Sequence, residues 1–123
     1  RIVPFLIDNC LKNNEFLTTK GNQLCDFCHI EDVVKAIFKS LSSKKVDGEI
    51  INIGTGKPIK IKSIIKLVKK FIGRGKPKFG GLKYKIGTNM KNFPNVLKAK
   101  RKLNWSPKVT LLNGLKRTIK SHK

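Results

Sequence analysis

Hydrophobic side chains recur at helical intervals in five stretches of the chain. Phe5, Leu6, Ile7, Cys10 and Leu11 line one face over two turns, with Pro4 suited to a first turn and Asn13-Asn14 ending it. Val33, Val34, Ile37, Phe38 and Leu41 form an i, i+4, i+8 stripe. Glu31 and Asp32 precede that stripe, where acids favour the positive end of a helix, and Ser42-Ser43-Lys44-Lys45 closes it. Ile61, Ile64, Ile65, Val68, Phe71 and Ile72 define a third helix, with lysines 60, 62, 66, 69 and 70 on its wet side and Gly73-Arg74-Gly75-Lys76-Pro77 breaking it. Val96, Leu97, Ala99 and Leu103 follow Asn95 as a cap, and Asn104-Trp105-Ser106-Pro107 stops that helix. Leu111, Leu112, Leu115 and Ile119 follow Thr110 in the last one.

The intervening pieces are short. Phe16-Leu17-Thr18-Thr19 reads as a strand and Lys20-Gly21-Asn22 as a turn. Leu24 to Ile30 alternates, with Leu24, Asp26, Cys28 and Ile30 on one face and Cys25, Phe27 and His29 on the other. Asp47-Gly48 turns into Glu49-Ile50-Ile51-Asn52-Ile53, which reads as a buried strand, and Gly54 to Pro58 as a tight strand-to-helix turn. Lys78 to Gly81 and Leu82 to Lys85 read as extended pieces. No internal repeat is visible. The class this predicts is α/β, with α+β character for the chain taken alone, helices dominating over short strands.

At 123 residues and 39% hydrophobic content, the chain can build one modest core. It opens with Arg1 in the middle of an apolar pattern and without Met, which reads as an internal start and predicts a fragment. No run approaches the ~20 apolar residues of a membrane span. Three cysteines, an odd number, do not suggest a disulfide framework, so a reducing cytoplasmic setting is expected. Net charge is +21, which attracts polyanions. The basic residues are spread from Lys12 to Lys123, only four are Arg, and no aromatic interleaving marks a single-strand binder. A nucleotide diphosphate suits such a lining as well as nucleic acid does, and nucleic acid is not the expected partner.

The candidate chemistry centres on Cys25-Asp26-Phe27-Cys28-His29. As a bare pattern this is C-x-x-C-H, the attachment signature of c-type haem, and the single Met, Met90, could supply a second axial ligand. The motif lies in strand-like alternation, however, and a five-residue pattern has low specificity. A zinc site needs four ligands, but Cys10 and His122 are remote and no second C-x-x-C exists. His29 shares a strand face with Cys25, but four residues along a strand are about 13 Å, too far for a direct hydrogen bond. Gly54-Thr55-Gly56-Lys57-Pro58 resembles the end of a P-loop, yet Ile51 stands where its first Gly is required and Pro58 where its hydroxyl is. Carboxylates are too few for a convincing acid/base pair.

Five ordered motifs carry a different reading. Arg1-Ile2-Val3-Pro4-Phe5 is similar to a K/R-L-I-P-F helix start. Leu17-Thr18-Thr19-Lys20-Gly21-Asn22-Gln23 is similar to L-T-x-G-x-Q, and Cys25 through Val34 to R-D-F-I-H-V-D-D-V-A. Gly48 through Gly56 matches G-E-I-x-N-I-G-T/S-G, and Tyr84-Lys85-Ile86-Gly87-Thr88 matches Y-R-x-G-D/E. Leu103-Asn104-Trp105-Ser106-Pro107, Leu111, Gly114, Leu115, Thr118 and Ile119 match L-G-W-x-P-x-x-x-L-x-x-G-L-x-x-T-I. Together these resemble the C-terminal part of extended short-chain dehydrogenases/reductases, the NAD(P)-dependent nucleotide-sugar epimerases, dehydratases and reductases. The phrasing around Phe79-Gly80 and Tyr84 is similar to the CDP- or dTDP-deoxyhexose reductase and synthase branch.

The resemblance implies that residues 1–123 are a substrate-binding lobe. It implies that an N-terminal Rossmann domain holding NAD(P) and the catalytic Tyr-x-x-x-Lys is not in this chain. It further implies a homodimeric parent, a nucleotide-diphosphate sugar as ligand, no catalytic or cofactor-binding residue in the chain itself, and no hydride transfer by the chain alone. By position, Arg1 and Ile2 would lie near the nucleotide, Leu17 and Thr18 near the base, and Lys85 near the diphosphate. Two departures stand out. The family's phosphate-binding Arg is Cys25 here, and a thiol cannot replace a guanidinium fork. The acid that looks toward the ribose is Thr88, while Lys85 keeps the charge of the family's Arg and loses its fork. The alternatives are a basic non-catalytic module for nucleic acid or another polyanion, and a c-type cytochrome.

Overall fold

The computed structural model describes residues 1–122, which form two compact units. The first comprises residues 1–25, 59–92 and 115–122, and the second residues 26–58 and 93–114. The described elements are helices α1 (Ile2–Leu11), α2 (Ile30–Ser42), α3 (Ile61–Ile72), α4 (Leu97–Leu103) and α5 (Leu111–His122). The strands are β1 (Glu15–Leu17), β2 (Leu24–Cys25), β3 (Ile59–Lys60), β4 (Lys76–Lys78) and β5 (Lys91–Asn92). The α/β character expected from the pattern is present, with helices dominant and every strand two or three residues long.

In the first unit α1 packs against α3. Leu6, Ile7 and Cys10 of α1 and Ile61, Ile64, Ile65 and Val68 of α3 are buried, as their periodicity predicts. Asn13 adopts a left-handed φ of 54° just after α1, and Gly73, at φ 87°, caps α3. Gly75 has a stricter task. Its φ is +119°, and a Cβ there would come within 2.6 Å of Cys10 Sγ and 3.1 Å of Cys10 Cα. Only glycine lets the chain after α3 pass this close to α1 and enter β4, where Lys76 N–H donates to Asn14 O at 3.0 Å. β1 and β4 pair in parallel. β2 lies between β3, antiparallel, and β5, parallel.

In the second unit Ala36, Val46, Ala99, Leu103 and Trp105 form the core, with Cys28, Ile51 and Ile53 packed against it. Lys39 Nζ donates to Asn104 O at 2.7 Å, close to where Asn104 ends α4 in a left-handed turn of φ 49°. Lys98 and Lys102 both engage Glu49, at 3.3 and 2.6 Å, and the Lys102 hydrogen bond holds the Glu49 carboxyl below the usual range.

The structure departs from the simple pattern in four places. The strand read over Leu24–Ile30 stops at Cys25. Beyond it the Asp26 side chain is drawn to the Thr55-Gly56 backbone, and His29, extended at φ −67° and ψ 143°, caps α2 by accepting Glu31 N–H on Nδ1 at 3.1 Å. The α2 stripe is not the buried face. Asp32 and Ala36 are buried, whereas Phe38 is 64% and Leu41 78% exposed. Periodicity reports a one-sided helix but not what covers the apolar side. Glu49–Ile53 forms no strand ladder, and Ile50 is 85% exposed, its carbonyl taken by Lys98 Nζ at 2.8 Å. Finally, Leu82–Lys85, read as an extended piece, joins no ladder, while β4 begins at Lys76 and includes Pro77, and β5 at Lys91–Asn92 had no sequence signal.

Candidate functional site

All six residues singled out by the sequence, Arg1, Ile2, Leu17, Thr18, Cys25 and Lys85, fall in the first unit. Thr18 is buried and Leu17 beside it is exposed. Past the end of β1, Thr18 N–H donates to Lys78 O at 3.1 Å, and Leu82 N–H donates to Thr18 O at 3.0 Å. The next turn is tied to the same segment, because Asn22 N–H donates to the phenol oxygen of Tyr84 at 2.9 Å. These bonds span about sixty residues of sequence and bring Leu17, Thr18 and the segment carrying Lys85 into one wall. Lys85 itself is exposed, and its carbonyl accepts Thr88 N–H at 3.0 Å and Thr88 Oγ1–H at 2.6 Å.

Thr88 therefore closes a local turn onto the Lys85 carbonyl. Cys25 ends β2, opposite Ile59 and Asn92, and is half-buried. Arg1 is exposed at the start of α1, whose Phe5 meets Phe16 of β1 edge to face at 5.7 Å. No hydrogen bond or ion pair joins Arg1, Cys25 and Lys85 among the described residues, and neither Arg1 nor Lys85 is committed to a carboxylate there.

The second unit holds two carboxylate clamps that sequence reasoning missed. Asp26 accepts from Thr55 N–H and Thr55 Oγ1–H on Oδ1, at 3.0 and 2.6 Å, and from Gly56 N–H on Oδ2 at 2.7 Å. A Cβ on Gly54 would sit 2.8 Å from Asp26 Oδ2 and 2.6 Å from Pro94 Cγ, so the glycine makes room for the clamp. Asp32, 1% exposed, accepts Lys108 N–H at 3.0 Å and Val109 N–H at 2.9 Å, while its carbonyl accepts Trp105 Nε1–H at 2.9 Å. Both acids bind backbone, which assigns them to holding loops. The signal available in sequence was an acid-rich strand-to-helix stretch far upstream of Trp-x-Pro.

The stretch that advertised haem is taken up by local structure. His29 caps α2, and its Cδ2 would lie 3.2 Å from a Cβ on Gly114. Among the described residues no three His, Cys, Asp or Glu side chains are grouped to hold a metal ion, and no helix is long and apolar enough to cross a membrane. Burial, with Asp32 and Asp26 nearby, pushes the Cys28 thiol up to about 11. At pH 8 its thiolate is then about one part in a thousand. Iodoacetamide at that pH is expected to alkylate Cys28 at least ~10-fold more slowly than a cysteine in a short peptide, as followed by peptide mass spectrometry. The fold favours the neutral thiol, so this contribution to stability is present below the ordinary cysteine range and is lost as pH rises through about 11.

Residues 1–54 match the model of the NAD dependent epimerase/dehydratase family. A UDP-glucuronate 4-epimerase of Thermodesulfobacterium geofontis is 38% identical over 100 residues, covering 80% of this chain and 30% of the relative. A CDP-abequose synthase of Salmonella muenchen is 28% identical over 121 residues, covering 97% of this chain and 41% of the relative. The crystal structure of UDP-glucuronic acid 4-epimerase from Bacillus cereus, in complex with UDP-glucuronic acid and NAD, superposes with a TM-score of 0.86 at 29% identity. That superposition covers the whole of this chain and 40% of the other. The chain thus spans less than half the length of the proteins it matches.

Proposed function

Because the chain belongs to the NAD dependent epimerase/dehydratase family, we propose that its first unit grips the nucleoside and diphosphate of a nucleotide sugar within a longer enzyme. The dinucleotide site and the reacting groups would come from a preceding Rossmann domain. The observation that carries this reading is the wall in which Leu17 and Thr18 are hydrogen-bonded to the Lys78–Lys85 segment and Asn22 to Tyr84. It sets an exposed apolar side chain, suited to the face of a base, on the same wall as an exposed ammonium, suited to a diphosphate. Arg1 and Lys85, facing no carboxylate among the described residues, leave their charge for an anion.

The relatives act on UDP- and CDP-linked sugars by name, and UDP is the probe we would use first. Calorimetric titration of the chain with UDP is expected to show binding that weakens about tenfold in Lys85→Gln, one charge-assisted phosphate contact being worth roughly 1.5 kcal/mol. Equal affinity in the variant would remove Lys85 from the site.

In the second unit, the exposed α2 stripe and a cleft of about 380 Å³ lined by Ala36, Ile37, Val46, Ile51, Ile53 and Leu103 are surfaces that the Rossmann part would cover. Amide exchange in α2 should slow in the longer protein, and unchanged exchange would count against that seat.

A further inference from the structure

The positive charge is segregated by the placement of the acids. Residues 1–49 carry seven Lys and Arg and seven Asp and Glu, whereas residues 50–123 carry twenty-one Lys and Arg and no acid. The whole net charge therefore resides in the later stretch, an asymmetry that points to a polyanion. In the first unit, residues 59–92 contribute eleven basic residues, and the unit's only acids are Asp8 and Glu15. Asp8 is already paired with Lys12.

On α3, Lys66, Lys69 and Lys70 are exposed on the face opposite Ile61, Ile64, Ile65 and Val68, and exposed Arg74 follows the helix. The Lys116 ammonium of α5 stands 5.3 Å from the centroid of the Phe71 ring, which brings the basic edge of α5, with exposed Lys116 and Lys120, beside α3. None of these six cations pairs with a carboxylate among the described residues.

We propose that this α3–α5 face binds the phosphate backbone of duplex nucleic acid without reading its sequence. It carries six exposed cations spread over α3, the segment after it and α5, which suits an extended array of phosphates better than a single small anion. The apolar side of α3 is buried in the core, so the helix has nothing to insert into a bilayer. Phe71, the aromatic ring of this face, is half-buried under Lys116, so it offers no stacking platform for unpaired bases. The inference is independent of the nucleotide-sugar reading.

The test is fluorescence anisotropy of a labelled 20-base-pair DNA with the chain between 50 and 200 mM KCl. With four or five phosphates contacted, log K should fall against log salt with a slope of roughly −4. Changing Lys66, Lys69, Lys70 and Lys116 together to Gln should flatten that slope by about 3 and weaken binding at least tenfold. Changing Lys35, Lys44, Lys45 and Lys57 to Gln removes the same charge from exposed positions of the second unit and should have a much smaller effect. Equal loss in the two variants, no binding at 50 mM, or equally tight and equally Lys-dependent capture by phosphatidylserine vesicles would overturn the proposal. Should the fourfold variant fail to fold by circular dichroism, Lys69→Gln with Lys70→Gln must still flatten the slope by about 2.

Discussion

Replacing Asp32 with alanine is expected to cost about 3 kcal/mol of folding stability, because two charge-assisted hydrogen bonds disappear and leave backbone donors without partners. The carboxylate is 1% exposed and accepts the N–H groups of Lys108 and Val109, and it projects from the first turn of α2, whose backbone also receives Trp105 Nε1–H. One side chain thus fastens the segment after α4 to the start of α2. Asparagine keeps one acceptor oxygen but turns an NH2 toward the second N–H, so it should recover only about half of the loss. The midpoint of thermal unfolding should drop by roughly 10 °C in the alanine variant. Urea and thermal unfolding followed by circular dichroism measure this, and a loss below about 1 kcal/mol would mean that Asp32 is not the fastening.

Changing Cys25 to Arg is expected to raise affinity for UDP about 10- to 100-fold, the worth of a bidentate guanidinium–phosphate contact. Cys25 closes β2, the middle strand of its sheet, so a side chain there starts from backbone fixed on both sides by Ile59 and Asn92. Burial raises its thiol above the ordinary range, so the native residue presents no anion-binding charge and little thiolate. Without ligand, the added cation enters a unit that is already strongly basic, and folding stability should fall slightly. With UDP present the loss should reverse, because the ligand binds the folded state alone. Calorimetry supplies the affinity and a thermal shift supplies the coupling. Unchanged or weaker binding would displace Cys25 from the assigned place.

How legible these features were in the sequence differs from element to element. α3 was fully legible: six apolar residues at helical spacing, five lysines opposite and a glycine stop leave few alternatives, and all four residues of its core face are buried. α2 was found by the same argument, yet its apolar stripe is exposed and its buried positions are an alanine and an acid. The pattern marked a one-sided helix, and nothing among the described residues covers the exposed side chains of that stripe. Alternation over Leu24–Ile30 promised seven strand residues, but the carboxylate of Asp26 and the imidazole of His29 found backbone donors outside any ladder and ended the strand after two. Such side-chain-to-backbone competition is invisible to period counting. Within the candidate site, the residue types were legible from the motifs. The bond from Asn22 to Tyr84 was not, because it joins residues 62 apart with no local signal at either end.

The most direct test of the nucleotide-sugar reading is amide nuclear magnetic resonance of the isotopically labelled chain titrated with UDP. Saturable shifts are expected at Ile2, Leu17, Thr18, Cys25 and the Tyr84–Lys85 segment, and none in α2 or α4. An unperturbed spectrum, or shifts confined to the lysines of α3 and α5, would contradict it.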